Sequence, residues 1–194
     1  MNLPSTAASA PASLRWSPSV TVAAIIEREG RFLLIEEHTP EGLKLNNPAG
    51  HLEPGESPQD ACVREALEEC AHRFQPTHLV GIYLSRFQRH EATHPQFEDV
   101  TYLRFAFAGE LLEHFPTQAL DHGIVRTLWM SPQEIEDSAS RHRSPLVLQC
   151  MKDHLKGQHL PLESIHTNAS VWQPTLSMGG AQDPHLHIAL SKRT

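Results

Sequence analysis

The amino-acid sequence predicts a single domain of mixed α/β (α+β) type, a sandwich of strands and a few helices. Three observations lead there. Runs rich in β-branched and aromatic residues alternate along the chain with segments that open like helices. The 194 residues suffice for one well-filled core and fall short of two ordinary domains. No internal repeat recurs at a fixed period.

The elements follow in order. Residues 1–17 are small, Pro/Ser/Ala-rich and aperiodic, and read as a flexible tail. The stretch VTVAAIIEREGRFLLIEEH reads as a β-hairpin, in which Val20–Ile26 and Phe32–Ile35 flank a polar turn containing Gly30. TPEGLKLNNPAG reads as a loop. Ser57-Pro58 then opens a helix, with Ser57 as N-cap, Pro58 at the first helical position and Asp60 in the first turn. That helix is expected to reach Ala71 or His72. Strand-like segments follow at HLVGIYLSRF, VTYLRFAFAGEL and IVRTLWM. SPQEIED repeats the Ser-Pro opening, with Glu134 three residues after Ser131 as a capping box. SPLVLQCMKDHLKG is expected to form a third helix closing at Gly157. Beyond Ile165 the pattern gives way to HTNASVWQPTLSMGGAQDPHLH, expected to belong to a disordered tail over 166–194. The domain is thus expected to span 18–165.

GHLEPGESPQDACVREALEE, from Gly50 to Glu69, carries six carboxylates against one cation, Arg64. On a helix Glu65, Glu68 and Glu69 share one face, and a turn of about 100° per residue puts Val63, Ala66, Leu67 and Cys70 opposite. Ala61 and Pro58 fall among the acids and obstruct little. The ordinary fate of such a charge run is a solvated stripe. Two features count against that here. Like charges at i,i+4 oppose the helix by a few tenths of a kcal/mol per pair, roughly. The acids also occupy its second half, where the dipole disfavours them. Clustered carboxylate oxygens suit a divalent cation such as Mg²⁺ or Mn²⁺.

Gly50, five residues, Glu56, seven residues, Arg64-Glu65, two residues, Glu68-Glu69 resembles the Nudix box, GX5EX7REUXEEXGU with U aliphatic. The resemblance covers about 18–165. TVAAIIEREGRFLLIEE, NPAGHLEPGE and RSPLVLQCM are similar to the NudJ-like branch of small phosphatases. It implies an α/β/α sandwich with a mixed sheet, and a Mg²⁺-dependent hydrolase cleaving pyrophosphate bonds. Nucleoside di- and triphosphates or hydroxymethylpyrimidine pyrophosphate are the implied substrates. The alternative is a non-catalytic Nudix-fold module that binds a phosphorylated ligand; loss of box carboxylates would mark it, and all are present.

Carried over by position, the resemblance implies that Glu65, Glu68 and Glu69 bind the metal, completed by the backbone carbonyl of Ala49. Arg64 and Glu56 would orient those carboxylates, and Glu68 or Glu69 could be the general base. A further acid outside the box is expected at Asp121, with Glu98 and Asp99 as alternatives. The box departs from the pattern at its end, Ala71-His72 replacing Gly and an aliphatic residue. Leu45 stands near where branch members often carry an aromatic.

In TYLRFAF, alternation points Tyr102, Arg104 and Ala106 to one face and Leu103, Phe105 and Phe107 to the other. The second set is expected in the core. Tyr102 and Arg104 are candidates to bind substrate. The net charge of −7 argues against a nucleic acid polymer as partner and leaves a small phosphorylated substrate open. Cys62, Cys70 and Cys150 lack metal or disulfide spacing and read as buried, reduced thiols. No apolar run is long enough to span a bilayer. A cytoplasmic monomer or homodimer is expected.

Overall fold

The computed structural model describes residues 16–89 and 98–174. Its elements are β1 (Ser19–Arg28), β2 (Arg31–Thr39), β3 (Gly42–Asn46), β4 (Ala49–His51), α1 (Pro58–Cys70), β5 (His72–Arg89), β6 (Glu98–His114), β7 (Ile124–Met130), α2 (Pro132–Asp137) and α3 (Leu146–Leu155). The expected hairpin is β1–β2. Its two-residue turn, Glu29-Gly30, has both φ values positive, 53° and 73°, as a type I′ turn requires.

The loop expected over 39–50 is a correction. β3 pairs antiparallel with β2 from Ile35↔Asn46 to Thr39↔Gly42, and β4 pairs with β1 from Thr21↔His51 to Ala23↔Ala49. The Gly, Pro and Asn of this stretch lower its strand propensity, but neighbouring ladders supply partners for its backbone groups.

β1 runs parallel to β6, from Ser19↔Tyr102 to Ile26↔Gly109, and the other pairings are antiparallel, so the sheet is mixed. Both faces of β1 are covered. Val22, Ala24 and Ile26 pack with Ala61, Cys62, Ala66 and Cys70 of α1 and with Phe74, Leu79 and Phe107. Ile25 packs on the other side with Phe32, Leu34 and Leu45, with Ile135 of α2, and with Leu146, Val147, Cys150 and Met151 of α3. A strand buried on two faces reads as a continuous apolar run, which VAAII is. The layers are those of the α/β/α sandwich, and each fully buried Leu, Ile or Phe contributes about 1.5–3 kcal/mol.

The caps follow the sequence signals. Ser57 Oγ accepts from the Asp60 N–H at 3.1 Å. Ala71, in the left-handed region at φ 55°, ends α1 and donates its N–H to the Leu67 carbonyl at 3.0 Å. Both halves of the Ser131–Glu134 capping box form. Beyond 165 the chain continues into a short 3-10 turn, Ala169–Trp172, started by Asn168 Oδ1 accepting from the Ser170 N–H at 3.0 Å. The side-chain cap holds a segment that has no apolar period to announce it. The expected tails otherwise fall at 1–15 and 175–194, outside the described residues. Cys62, Cys70 and Cys150 are free and buried.

Glu36 ties β2 to the segments that follow β6. Its side chain is 4% exposed; Oε2 accepts from Arg126 Nε at 2.7 Å, and Oε1 pairs with Arg141. The hydrogen bond from Arg126, followed by that from Arg141, holds its carboxyl below the usual range against the opposing effect of burial. Its stabilisation is therefore present above the unfolded-state pKa of about 4.3 and disappears as pH falls through the lower folded value. Glu36→Gln is expected to lower the melting temperature at pH 7, with the gap to wild type closing below about pH 4. A gap independent of pH would assign the loss to packing instead.

Candidate active site

α1 carries its acids toward the sheet, which corrects the expected division into a packing side and an opposite acidic side. The buried residues of α1 are Ala61, Cys62, Glu65, Ala66, Glu69 and Cys70, while Val63 and Leu67 are only half-buried. The small Ala61 and Cys62 let the helix approach closely, so Glu65 and Glu69 descend into the interface with β4. Gly50 makes the room. A Cβ there would collide with the carboxyl group of Glu65, which gives the first position of the motif a steric reason.

β4 faces two ways. Its register with β1 directs the peptide groups of Gly50 inward, and those of Ala49 and His51 toward α1. The Ala49 N–H donates to Glu69 Oε2 at 2.7 Å, and the His51 carbonyl accepts from Arg64 Nη2 at 2.9 Å. Strand geometry places the Ala49 carbonyl on the same edge as its N–H.

Arg64 organises the acids. Its Nε and Nη2 donate to the two oxygens of Glu56 at 3.1 and 2.8 Å, and Nη1 donates to Glu65 Oε1 at 2.6 Å and Glu68 Oε2 at 3.0 Å. The Glu56 bonds, chiefly, hold the guanidinium charged well above its ordinary range. Glu69 lies outside this network. Burial, then the charges of Glu65, Glu37 and Asp121, push its carboxyl up to about 8, although the Ala49 N–H opposes them. Burial also raises Glu65, against the Arg64 bonds. Carboxylates gathered at this density, with one buried beyond the reach of Arg64, form an oxygen-rich, electron-rich donor set that fits a hard divalent cation.

The three candidate acids outside the box separate. The Asp121 N–H donates to the Glu68 carbonyl at 2.9 Å, and its charge acts on both Glu65 and Glu69. Asp99 is held elsewhere by Arg86, at 2.7 and 2.5 Å. The side chain of Glu98 lies outside the described residues. Glu37 was not singled out from the sequence. Alternation from Leu33 and Ile35 places it on the α1 face, where its charge reaches Glu69 and Arg104, and it accepts from Arg143 Nη1 at 3.0 Å.

A cavity of about 580 Å³ adjoins β4, lined in part by Glu37, Ala49, Gly50, Tyr102, Arg104 and Arg143. That volume lies in the small-ligand range, roughly 300–1,000 Å³. Arg104 is 8% exposed, and its Nε and Nη1 have no partner among the described residues. Burial depresses its pKa, partly countered by Cys150, Glu37 and Glu69. Thr21 Oγ1 and Asn46 Oδ1, also from the cavity lining, are likewise buried without partners. Leu45 is wholly buried in the core and offers no stacking surface. Both Tyr102 and Arg104 line the cavity, whereas Phe107 is fully buried and Phe105 packs against the core on the opposite face.

The family model for the NUDIX domain matches residues 16–149. Phosphatase NudJ of Escherichia coli strain K12 is 39% identical over 150 residues, covering 77% of this chain and 92% of that protein. A NUDIX hydrolase from Nitrosomonas europaea superposes with a TM-score of 0.69 and 46% identity, covering 78% of this chain and 98% of that one. The MutT NUDIX hydrolase of Burkholderia pseudomallei, at 17% identity and TM-score 0.53 over 71% of this chain and 98% of that one, shares the fold.

Gly50→Ala tests the close approach of β4 and α1. The added methyl is expected to displace the Glu65 carboxylate and lower the affinity for Mn²⁺, read by electron paramagnetic resonance, by about 10–100-fold, the usual size for disturbed ligand positioning. Circular dichroism should remain that of the folded protein. Unchanged Mn²⁺ affinity would separate Glu65 from cation binding.

Proposed function

The chain belongs to the Nudix family of hydrolases, and from that premise we propose that it is a cytoplasmic, Mg²⁺-dependent pyrophosphohydrolase, monomeric or homodimeric, acting on nucleoside di- and triphosphates or hydroxymethylpyrimidine pyrophosphate. Pyrophosphate hydrolysis and a small phosphorylated substrate follow from the family; the cation and the substrate identity are our reading. The observation that carries it is one strand with two partners. β4 has the carboxylates of α1 against it and a ligand-sized cavity beside it, with the unpartnered Arg104 in the lining.

In this reading Glu65, Glu68, Glu69 and the Ala49 carbonyl would hold Mg²⁺, or Mn²⁺ by the same oxygen chemistry, with Asp121 contributing charge from the end of α1. The ion, when bound, supplies Lewis acidity that draws negative charge from the phosphate oxygens. Arg64 and Glu56 fix the orientation of the ligand carboxylates. Arg104 supplies its two unpartnered nitrogens, Nε and Nη1, to phosphate oxygens inside the low-dielectric cavity, where a charge-assisted bond is strong. Tyr102 offers its ring to the base or pyrimidine. With Glu68 or Glu69 taking its proton, the attacking water would form a new P–O bond in line while the bridging P–O bond breaks and the second phosphate leaves with the electron pair. The NudJ relatives are named phosphatases, which supports a simple phosphorylated metabolite over a long polymer.

Removal of divalent ions is expected to abolish hydrolysis, and Glu69→Gln to cripple turnover while the fold survives. A substrate panel with phosphate and pyrophosphate assayed separately tests the specificity. A kcat/KM for ADP-ribose, diadenosine polyphosphates or coenzyme A above that for every simple nucleotide and pyrimidine pyrophosphate would overturn it. Arg104→Met gives a second, independent readout. Replacing an unpaired buried charge by an apolar chain should leave the melting temperature unchanged or higher. Lost charged hydrogen bonds to substrate should raise KM about 10–100-fold. A destabilised variant with unchanged KM would make Arg104 a structural residue.

A further inference from the structure

His78 of β5, His154 near the end of α3 and His159 in the segment after it bring one ring nitrogen each within 4.8 Å of one another. The rings of His78 and His159 stack with centroids 3.8 Å apart, and His154 lies 5.9 Å from each. The backbone enforces the meeting. Leu79 and Leu160 exchange N–H···O bonds of 2.9 Å in both directions, which sets His159 beside His78.

Hydrogen bonding determines which nitrogens are available. The Thr77 hydroxyl donates to the Ala108 carbonyl at 3.2 Å, so its oxygen, 3.0 Å from His78 Nδ1, accepts the Nδ1 proton. That leaves a bare lone pair on His78 Nε2. On His154, Nε2 faces Glu27 Oε2 at 3.5 Å, and the carboxylate draws the ring proton to that side. That leaves a bare lone pair on His154 Nδ1. His78 Nε2 and His154 Nδ1 are both sealed from solvent and without a partner among the described residues, the situation that buried polar atoms avoid. A carboxylate behind one imidazole and a hydroxyl behind another are the outer partners that metal-binding histidines use to fix tautomer and orientation.

We propose that His78, His154 and His159 form a second metal site, selective for Zn²⁺, distinct from the carboxylate centre. Three imidazoles are borderline-soft donors that suit Zn²⁺ and serve Mg²⁺ poorly. Zinc–nitrogen bonds of about 2.0–2.1 Å in a tetrahedron put the nitrogens about 3.4 Å apart. The exposed His159 can rotate inward to close the difference, and a water completes the shell. The site is structural in effect. It links β5 to the C-terminal end of α3, whose N-terminal residue Leu146 lines the cavity, about 12 Å away at 1.5 Å per helical residue.

The test uses full-length protein with Mg²⁺ in excess. Competitive titration against a chromophoric chelator is expected to find one Zn²⁺ per chain, and Co²⁺ to give the intense visible bands of a tetrahedral site. Zn²⁺ at about 100-fold over its dissociation constant should raise the melting temperature by about 5–10 °C. His159→Asn, at an exposed position where folding is not at risk, should weaken Zn²⁺ binding at least tenfold without loss of hydrolysis, and His154→Gln should do the same. Glu69→Gln should keep the Zn²⁺. Absence of Zn²⁺ binding below about 100 µM, or binding lost in Glu69→Gln but retained in both histidine variants, would overturn the proposal.

Discussion

The arrangement of the whole candidate centre depends on one guanidinium. Arg64 has five N–H donors, and all five are engaged: two by Glu56, one each by Glu65 and Glu68, and one by the His51 carbonyl. The acceptors come from the loop before α1, from α1 itself and from β4. A lysine could supply the charge but not this planar fork. Glu56 in turn accepts from the Glu53 N–H at 2.8 Å, so the turn leading into α1 is fixed by the same carboxylate. Without Arg64 the three acids would repel across an interface that buries them, and the strand-to-helix connection would lose its tie.

Much of this was legible because local signals and long-range packing agree. The Gly30 turn, the Ser57-Pro58 opening and the Ser131–Glu134 box each satisfy backbone groups within a few residues, so local chemistry sufficed. β3 and β4 were not legible, because their hydrogen-bond partners lie in β2 and β1 and their own residues disfavour strands. The rotation of α1 about its axis was misjudged for a related reason. Hydrophobicity alone points Val63 and Leu67 inward, yet the space that Gly50 leaves admits Glu65 instead. Glu37 was missed since a strand-end acid carries no sign of what faces it. Asp121 could be placed only by its backbone bond to Glu68.

Arg104 and the box acids are two halves of one electrostatic design. An unpaired buried cation and a buried carboxylate near its neutral form are each unfavourable alone. They act on one another only through space, by the influence of Glu69 and Glu37 on Arg104. Among the described residues, neither is neutralised by a direct ion pair. A substrate that carries phosphates and arrives with a divalent cation would satisfy both, the anion meeting Arg104 and the cation meeting Glu65 and Glu69. A few well-placed buried polar groups of this kind are what orient a ligand and select it.

The same logic explains the C-terminal end of α1. Glu65, Glu68 and Glu69 stand where the helix dipole is negative, an arrangement unfavourable by about 0.3–1 kcal/mol per charge. Ala71 adds the strain of a left-handed non-glycine residue, about 1 kcal/mol or more. The chain compensates with backbone rather than charge. The Ala71 N–H closes on the Leu67 carbonyl, the Phe115 N–H on the Ala71 carbonyl at 2.8 Å, and the Asp121 N–H on the Glu68 carbonyl. No basic side chain occupies the last turn; one placed there would relieve the dipole and pair with the carboxylates that the proposed cation site would use. Backbone hydrogen bonds thus stabilise this helix end in place of side-chain charges. The 115–121 segment, by capping α1 with main-chain donors, also carries the Asp121 carboxylate to the edge of the site.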